Sequence, residues 1–409
     1  MSQTTVSDAR PSPPRRPGWT RVGVVLGGQG VSLIGDQVFF IAAVWAAAQM
    51  GGTTAVTLVT LAESVPRALA MIFGGVLCDA LGPRVVLLRT TTVRIAVLAV
   101  ATVIALNSPT VWLLVVVAAL EGALLGLGTP SFGTLMPRMV NGDQLGRANS
   151  VRTMVARFAP IIGSPFGAWL VAEGQLPVAL GVVTVGCVVA LLCLAPVTKE
   201  ISAPSAAPSG VPMWKRTGDG LKLLRSNHKL RLLFFSALCL DFAFAWPMNP
   251  GLPVLVIDRG WQVSAVGLVI ACWAGGALAG AGISAVVGER IPLSVRLVGS
   301  GVGIGVLLVA MVLAPTLAVM AGLSVALGVC SGLNGPAAVT LYQKAAPSDR
   351  LGTAMAMLAL AGIGCAPFAY AISGALAGLT SPELAWAVTA LVAFGGPITA
   401  ARALRIPSA

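Results

Sequence analysis

Long apolar stretches succeed one another along almost the whole chain. Twelve can be marked, at about 22–49, 54–77, 86–106, 110–130, 147–172, 175–196, 231–257, 263–287, 295–314, 316–338, 353–378 and 382–402. Each reaches the ~20 residues that one helix needs to cross a hydrocarbon layer. A backbone in lipid must satisfy its own hydrogen bonds, so such stretches are read as helices. The expected fold class is an all-α membrane protein of twelve transmembrane helices. Only 10% of the 409 residues are charged, against roughly 25% in soluble domains. This excludes a soluble fold, a single-span receptor and a large soluble catalytic domain.

Orientation follows from lysine and arginine, which concentrate in cytoplasmic loops. The tail, the even-numbered loops and the C-terminus hold 22 of the 26, seven of them between Lys199 and Arg231. The opposite loops hold only Arg259. Both termini are therefore expected in the cytoplasm, and the net charge of +12 is read as a topology signal that also meets anionic lipid headgroups. No nucleic acid partner is expected. Trp45, Trp112, Trp169, Trp261 and Trp386 fall near the predicted outer ends, as in an aromatic belt.

The two halves match at an offset of 205–206 residues. GLGTPSFGTL (126–135) aligns with GLNGPAAVTL (332–341), DQLGRA (143–148) with DRLGTA (349–354), and Asp36 with Asp241. Repetition at one offset near half the chain length marks an internal duplication. Six spans per half is an even number, so both halves enter from the same side, and two parallel six-helix bundles would enclose a central cavity. The division is a basic tail (1–21), an N-terminal bundle (22–196), a linker (197–229) and a C-terminal bundle (230–405). The linker's second part is read as a helix on the membrane surface.

Charges inside spans are costly, about 3 kcal/mol on an insertion scale, and should face protein or water. Seven stand there: Asp36, Glu63, Arg67, Arg94, Glu121, Arg157 and Asp241. Glu63 and Arg67 share a helix face at i, i+4 and can pair. Asp36 and Glu121 have no basic partner nearby in sequence. Each is a candidate proton carrier, because a desolvated carboxylate takes up a proton more readily. The alternative is a salt bridge to Arg94 or Arg157 across helices. Asp241 precedes PMNPGLP (247–253), whose three prolines should bend the seventh span and free backbone carbonyls. Trp246, Asn249 and Asn334 join Asp241 as candidate substrate contacts, and Arg157 would suit an anionic one. The seven cysteines form no C-x-x-C pair, and the single histidine excludes an H-E-x-x-H metal site.

The stretch GVLCDALGPR (75–84) resembles the G-x-L-x-D-R-x-G-R-[RK] signature of the major facilitator superfamily, with Gly75, Leu77, Asp79, Gly82 and Arg84 matching and Ala80 and Pro83 departing from it. The resemblance implies a tight cytoplasmic turn whose Asp79 and Arg84 lock neighbouring helices, with Gly75 and Gly82 shaping it. Within the superfamily, SLIGDQVFFIAAVW (32–45), LMPRMVNGDQLGRANSV (135–151) and IIGSPFGAWL (161–170) look like the drug:proton antiporter branch of macrolide-efflux and enterobactin-exporter-like proteins. Gly163, Pro165 and Gly167 are similar to that branch's G-P-x-x-G-G element, with Ser164 interposed.

What this implies is a monomeric, multi-pass exporter of a bacterial plasma membrane, moving an amphiphilic small molecule against entering protons. Asp36, Glu121 and Glu63 would handle protons. Glu63–Arg67 and Arg94 would act in gating. No cofactor or enzymatic activity is expected: no G-K-[ST] phosphate loop and no G-x-S-x-G element is present. Import of a small metabolite is the main alternative, and a non-transporting receptor or scaffold the reading from another class.

Overall fold

The computed structural model describes residues 19–140, 145–197, 213–287, 291–347 and 350–406. Among the described residues every regular element is helical. The first half comprises α1 (Trp19–Leu81), α2 (Pro83–Asn107), α3 (Val111–Met139) and α4 (Leu145–Val197). The linker contributes α5 (Met213–Ser226). The second half comprises α6 (His228–Trp246), α7 (Leu252–Asp258), α8 (Ser264–Val287), α9 (Leu293–Val312), α10 (Leu317–Ala345), α11 (Leu351–Leu379), α12 (Pro382–Leu391) and α13 (Gly395–Leu404). Ten of the described helical stretches are long and apolar enough to cross a membrane, and Gly364–Leu379 forms a shorter apolar one. Large apolar side chains lie exposed, Trp112, Phe73 and Phe368 among them, as a lipid-facing surface requires.

Two of these helices are folded back on themselves. α1 breaks at Gly51 and Gly52, where Gly52 takes φ 60°, ψ −150°, a conformation open only to glycine. In α4 the expected interruption near 173–175 is itself helical. Its contacts nevertheless prove a reversal. Gly28 and Gly30 of α1 touch Ala190 and Val155, while Gly35 and Gly163 bring Val183 and Ile34 into contact further along. Both arms of α4 thus run beside the first arm of α1. Pro177, just beyond this point, lacks an N–H for the helical ladder and is a natural place for a bend.

Where a bend was predicted in the seventh span, the chain forms a π-helical turn at Pro247–Gly251 between α6 and α7. The helices of each half pack chiefly on one another, and the halves meet mainly through α4 with α8 and α1 with α11 and α7. These meetings are concentrated at the Gly51–Gly52 end. Ile41 and Ala168 share a hydrophobic cluster with Trp246, Leu255 and Trp386, and Val254 joins the first half's own cluster. At the linker end the clusters do not mix. One holds Val22, Leu135 and Leu194; the other holds Leu224, Leu297 and Tyr342. α5 belongs to the second, where Gly220 abuts Met357 of α11.

One expected belt residue belongs elsewhere. Trp386 is fully buried and donates its indole N–H to the Leu308 carbonyl at 2.9 Å. Its position in sequence gave the depth, but packing of α12 on α9 turned the ring inward.

Candidate functional site

A glycine seam sets the acidic side chains of the first half. A Cβ on Gly122 would lie 2.0 Å from the Glu63 carbonyl, and one on Gly126 would lie 2.4 Å from the Arg67 carbonyl. Small residues let helix backbones approach this closely. The seam draws α3 against the second arm of α1, and Glu121, beside Gly122, points toward α2.

There it meets Arg94, which is buried. The Arg94 Nε and Nη2 lie 2.8 Å from Oε2 of Glu121, and Nη2 lies 2.7 Å from Oδ1 of Asp36. Nη1 donates to Ser32 Oγ at 3.3 Å, one turn before Asp36 on α1. The alternative of a cross-helix salt bridge to Arg94 is therefore the observed arrangement for both carboxylates. One guanidinium serves two carboxylates, so the trio holds one acid more than it can neutralise. The two acids differ in access: the Asp36 side chain is 16% exposed and that of Glu121 0%. The other Glu121 oxygen, Oε1, is buried without a hydrogen-bond partner. Glu63 and Arg67 pair at 3.2 Å as expected, with Arg67 45% exposed.

Asp36 opens on two adjoining cavities. One, of about 310 Å³, also takes Glu63, Arg67 and Gln37 from α1, and Asn249 and Tyr370 from the second half. The other, of about 220 Å³, continues toward the linker end past Arg94, Thr90, Gln29 and Arg152. A third cavity, of about 200 Å³, lies within the second half and is lined by Asp241, Phe244, Trp273, Ser331 and Asn334. Asn334 also donates to Leu297 O and Ser300 Oγ, both at 3.0 Å.

The expected site residues divide accordingly. Asp36, Glu63, Arg67 and Asn249 come together in the first cavity, and Asp241 with Asn334 in the third. Trp246 lines none of the three; it is buried in the hydrophobic core against Gly251. Arg157 is half-buried and also lines none of them. Its neighbour Arg152, expected only as a loop charge, does. Tyr370 and Gln37 were missed altogether, since uncharged polar residues in apolar runs give little signal. Gly163 and Gly167 bring α4 onto Ile34 and Val38 of α1, flanking Asp36, and Pro165 meets Gly267 of α8 across the halves. Gly82 takes φ 84° at the start of α2, the tight turn that its motif implied. Gly75 faces open space, Arg84 is half-buried, and the Asp79 side chain lies outside the described residues.

Comparison with known proteins agrees with this architecture. The profile of the Major Facilitator Superfamily matches residues 25–362. A protein of Sinorhizobium fredii described as the uncharacterized MFS-type transporter y4rN is 25% identical over 363 residues, covering 85% of each chain. Among solved structures, a peptide transporter POT in complex with sulfate superposes with a TM-score of 0.74 at 12% identity, covering 96% of this chain and 95% of that one. A bacterial homologue of the iron transporter ferroportin in an inward-facing state gives 0.73 at 16% identity, covering 95% of this chain and 99% of that one.

Proposed function

The chain belongs to the Major Facilitator Superfamily and is a multi-pass membrane transporter of that kind, and on that premise we propose that it is a proton-coupled exporter of an amphiphilic small molecule working by alternating access. The single observation that carries the coupling is the shared guanidinium. Arg94 holds Asp36 and Glu121 at once, and only Asp36 opens on the cavity. A proton delivered to Asp36 frees one arm of Arg94 without leaving it unpaired, because Glu121 keeps the other. Loss of that proton restores the bridge between α1, α2 and α3. A two-state link of this type biases how α1 stands against its neighbours, and α1 also lines the substrate cavity.

The fold-backs in α1 and α4 favour a count of twelve spans, six to each bundle. Contacts between halves at the Gly51–Gly52 end, and separate clusters at the linker end, favour a state open toward the linker. With both termini cytoplasmic, that state faces inward and admits substrate from the cell.

The test is transport in liposomes of known protein orientation under an imposed proton gradient, with a panel of lipophilic dyes, macrolides and siderophores. Substrate movement against the proton flow, abolished in Asp36→Asn with exchange of labelled for unlabelled substrate retained, is the expected result. Substrate movement with the protons would make the protein an importer. Gradient-independent transport of the same substrate would overturn the coupling.

A further inference from the structure

The third cavity has no assigned part in proton coupling, and its chemistry is specific. We propose that the Asp241 cavity is a subsite for an organic cation, a quaternary or protonated amine carrying an apolar group; this rests on the transporter reading above and names the substrate class for it.

Three observations carry the assignment. First, Asp241 is exposed and lines the cavity wall. Among the described residues no ion pair reaches it; α9, α10 and α13 carry their basic residues only near their ends, at Arg296, Lys344 and Arg402, and α11 carries none. On α11 it faces Gly362, where a Cβ would stand 3.3 Å from Oδ2. A carboxylate open to a cavity and without an ion-pair partner presents its negative charge to whatever enters there. Second, Phe244 lies one turn along the same face of α6 and packs against Trp273 of α8, ring centroids 5.2 Å apart and planes at 47°. Both rings line the same cavity as the carboxylate. Aromatic faces attract ammonium groups, tryptophan most strongly. Third, the rest of the wall offers few free hydrogen-bonding groups: the Ser331 hydroxyl donates to Leu327 O and the Asn334 amide to Leu297 O and Ser300 Oγ, which leaves the Trp273 indole N–H as the unpaired donor. One negative charge, two aromatic rings and few hydrogen-bonding groups fit a single, weakly hydrated cation with an apolar body. They do not fit a sugar, which needs many hydrogen bonds, or a phosphate, which needs basic groups.

The first half offers a contrast that sharpens the assignment. Its acids are taken up by Arg94 and Arg67. Among the described residues Asp241 has no such arginine partner.

The experiment uses the full-length protein in detergent and two probes of matching shape, benzyltrimethylammonium and the neutral neopentylbenzene, with binding measured by titration calorimetry. The wild type should bind the cation at least about tenfold more tightly than the neutral probe, as one lost charge contact predicts. Asp241→Asn should lose that preference, Asp241→Glu should keep it, and Trp273→Leu should weaken cation binding severalfold. Thermal unfolding of each variant excludes misfolding as the cause, and Asp241→Glu provides a folded rescue. Equal affinity for the two probes, no cation binding to the wild type, or unchanged binding in Asp241→Asn would overturn the subsite. Proton coupling is read separately in liposomes. Cation selectivity without a proton-driven gradient would leave the subsite standing and remove the coupling.

Discussion

The two halves share a sequence repeat at one offset and use the same packing device, yet they hold different chemistry. In the first, Gly122 and Gly126 of α3 seat against Glu63 and Arg67; in the second, Gly328 and Gly332 of α10 seat against Trp273 and Ala277. At the repeat offset of 206, each glycine has its counterpart, while the facing helix is displaced by four residues, one helical turn. Only glycine permits so close an approach at either seam. The side chains around the seams differ. One half buries an arginine between two acids, and the other keeps a single acid beside two aromatic rings. The backbone contact is thus what the two halves share, and charge is where they differ.

The largest effect should come from breaking the charged side of this comparison. Arg94→Met leaves the sealed Glu121 and Asp36 without a cation, and should cost about 3–5 kcal/mol and abolish transport. Thermal unfolding in detergent checks the first and liposome flux the second. Adding Glu121→Gln and Asp36→Asn should restore most of the stability and none of the coupling. A stable, coupled Arg94→Met would remove the ion trio from the account.

Next in size is the seam itself. Gly122→Ala and Gly328→Ala each drive a methyl into a backbone carbonyl 2.0 Å away, and should each cost about 1–3 kcal/mol. Equal losses in melting temperature would support structural equivalence. A large loss in one half alone would show that the displaced register has made the seams unequal. Trp386→Phe removes the bond to the Leu308 carbonyl and should cost about 1 kcal/mol, measurable by chemical unfolding. The smallest effect belongs to the exposed member of the Glu63–Arg67 pair. Arg67→Gln should change stability by less than about 0.5 kcal/mol, and any loss of transport rate in that variant would then report gating rather than folding.

Much of this was legible in the sequence, for physical reasons that can be named. The apolar runs announced the helices because lipid leaves the backbone no alternative. The sequence repeat pairs Gly126 with Gly332, and both meet a backbone carbonyl of the facing helix. Glu63 with Arg67 followed from helical spacing, and Arg94 stood among the possible partners of Asp36 and Glu121. The failures share a different cause. Trp246 and Trp386 lie at plausible depths, but depth along a helix does not say which way a ring turns, and neighbouring helices turned both inward. Arg152 was counted as a loop charge because it lies near a predicted span end, yet its helix carries it beside Ala156 into the cavity wall. The connection expected between spans ending at 172 and starting at 175 is tighter than a loop, with helix on both sides of the reversal.

The contacts that join the halves at the Gly51–Gly52 end have a practical side. Pro165 meets Gly267, and Thr57 meets Gly374, with no room for a further side-chain atom at either glycine. Contacts of such small groups part with little lost attraction, which suits the seal that the proposed alternating-access cycle would break. They are also places where one bulky residue acts as a wedge. Gly267→Leu or Gly374→Leu should jam the seal ajar and hold the carrier in its other posture. A single substitution would then supply the trapped form that a conformation-selective antibody fragment needs as its immunogen.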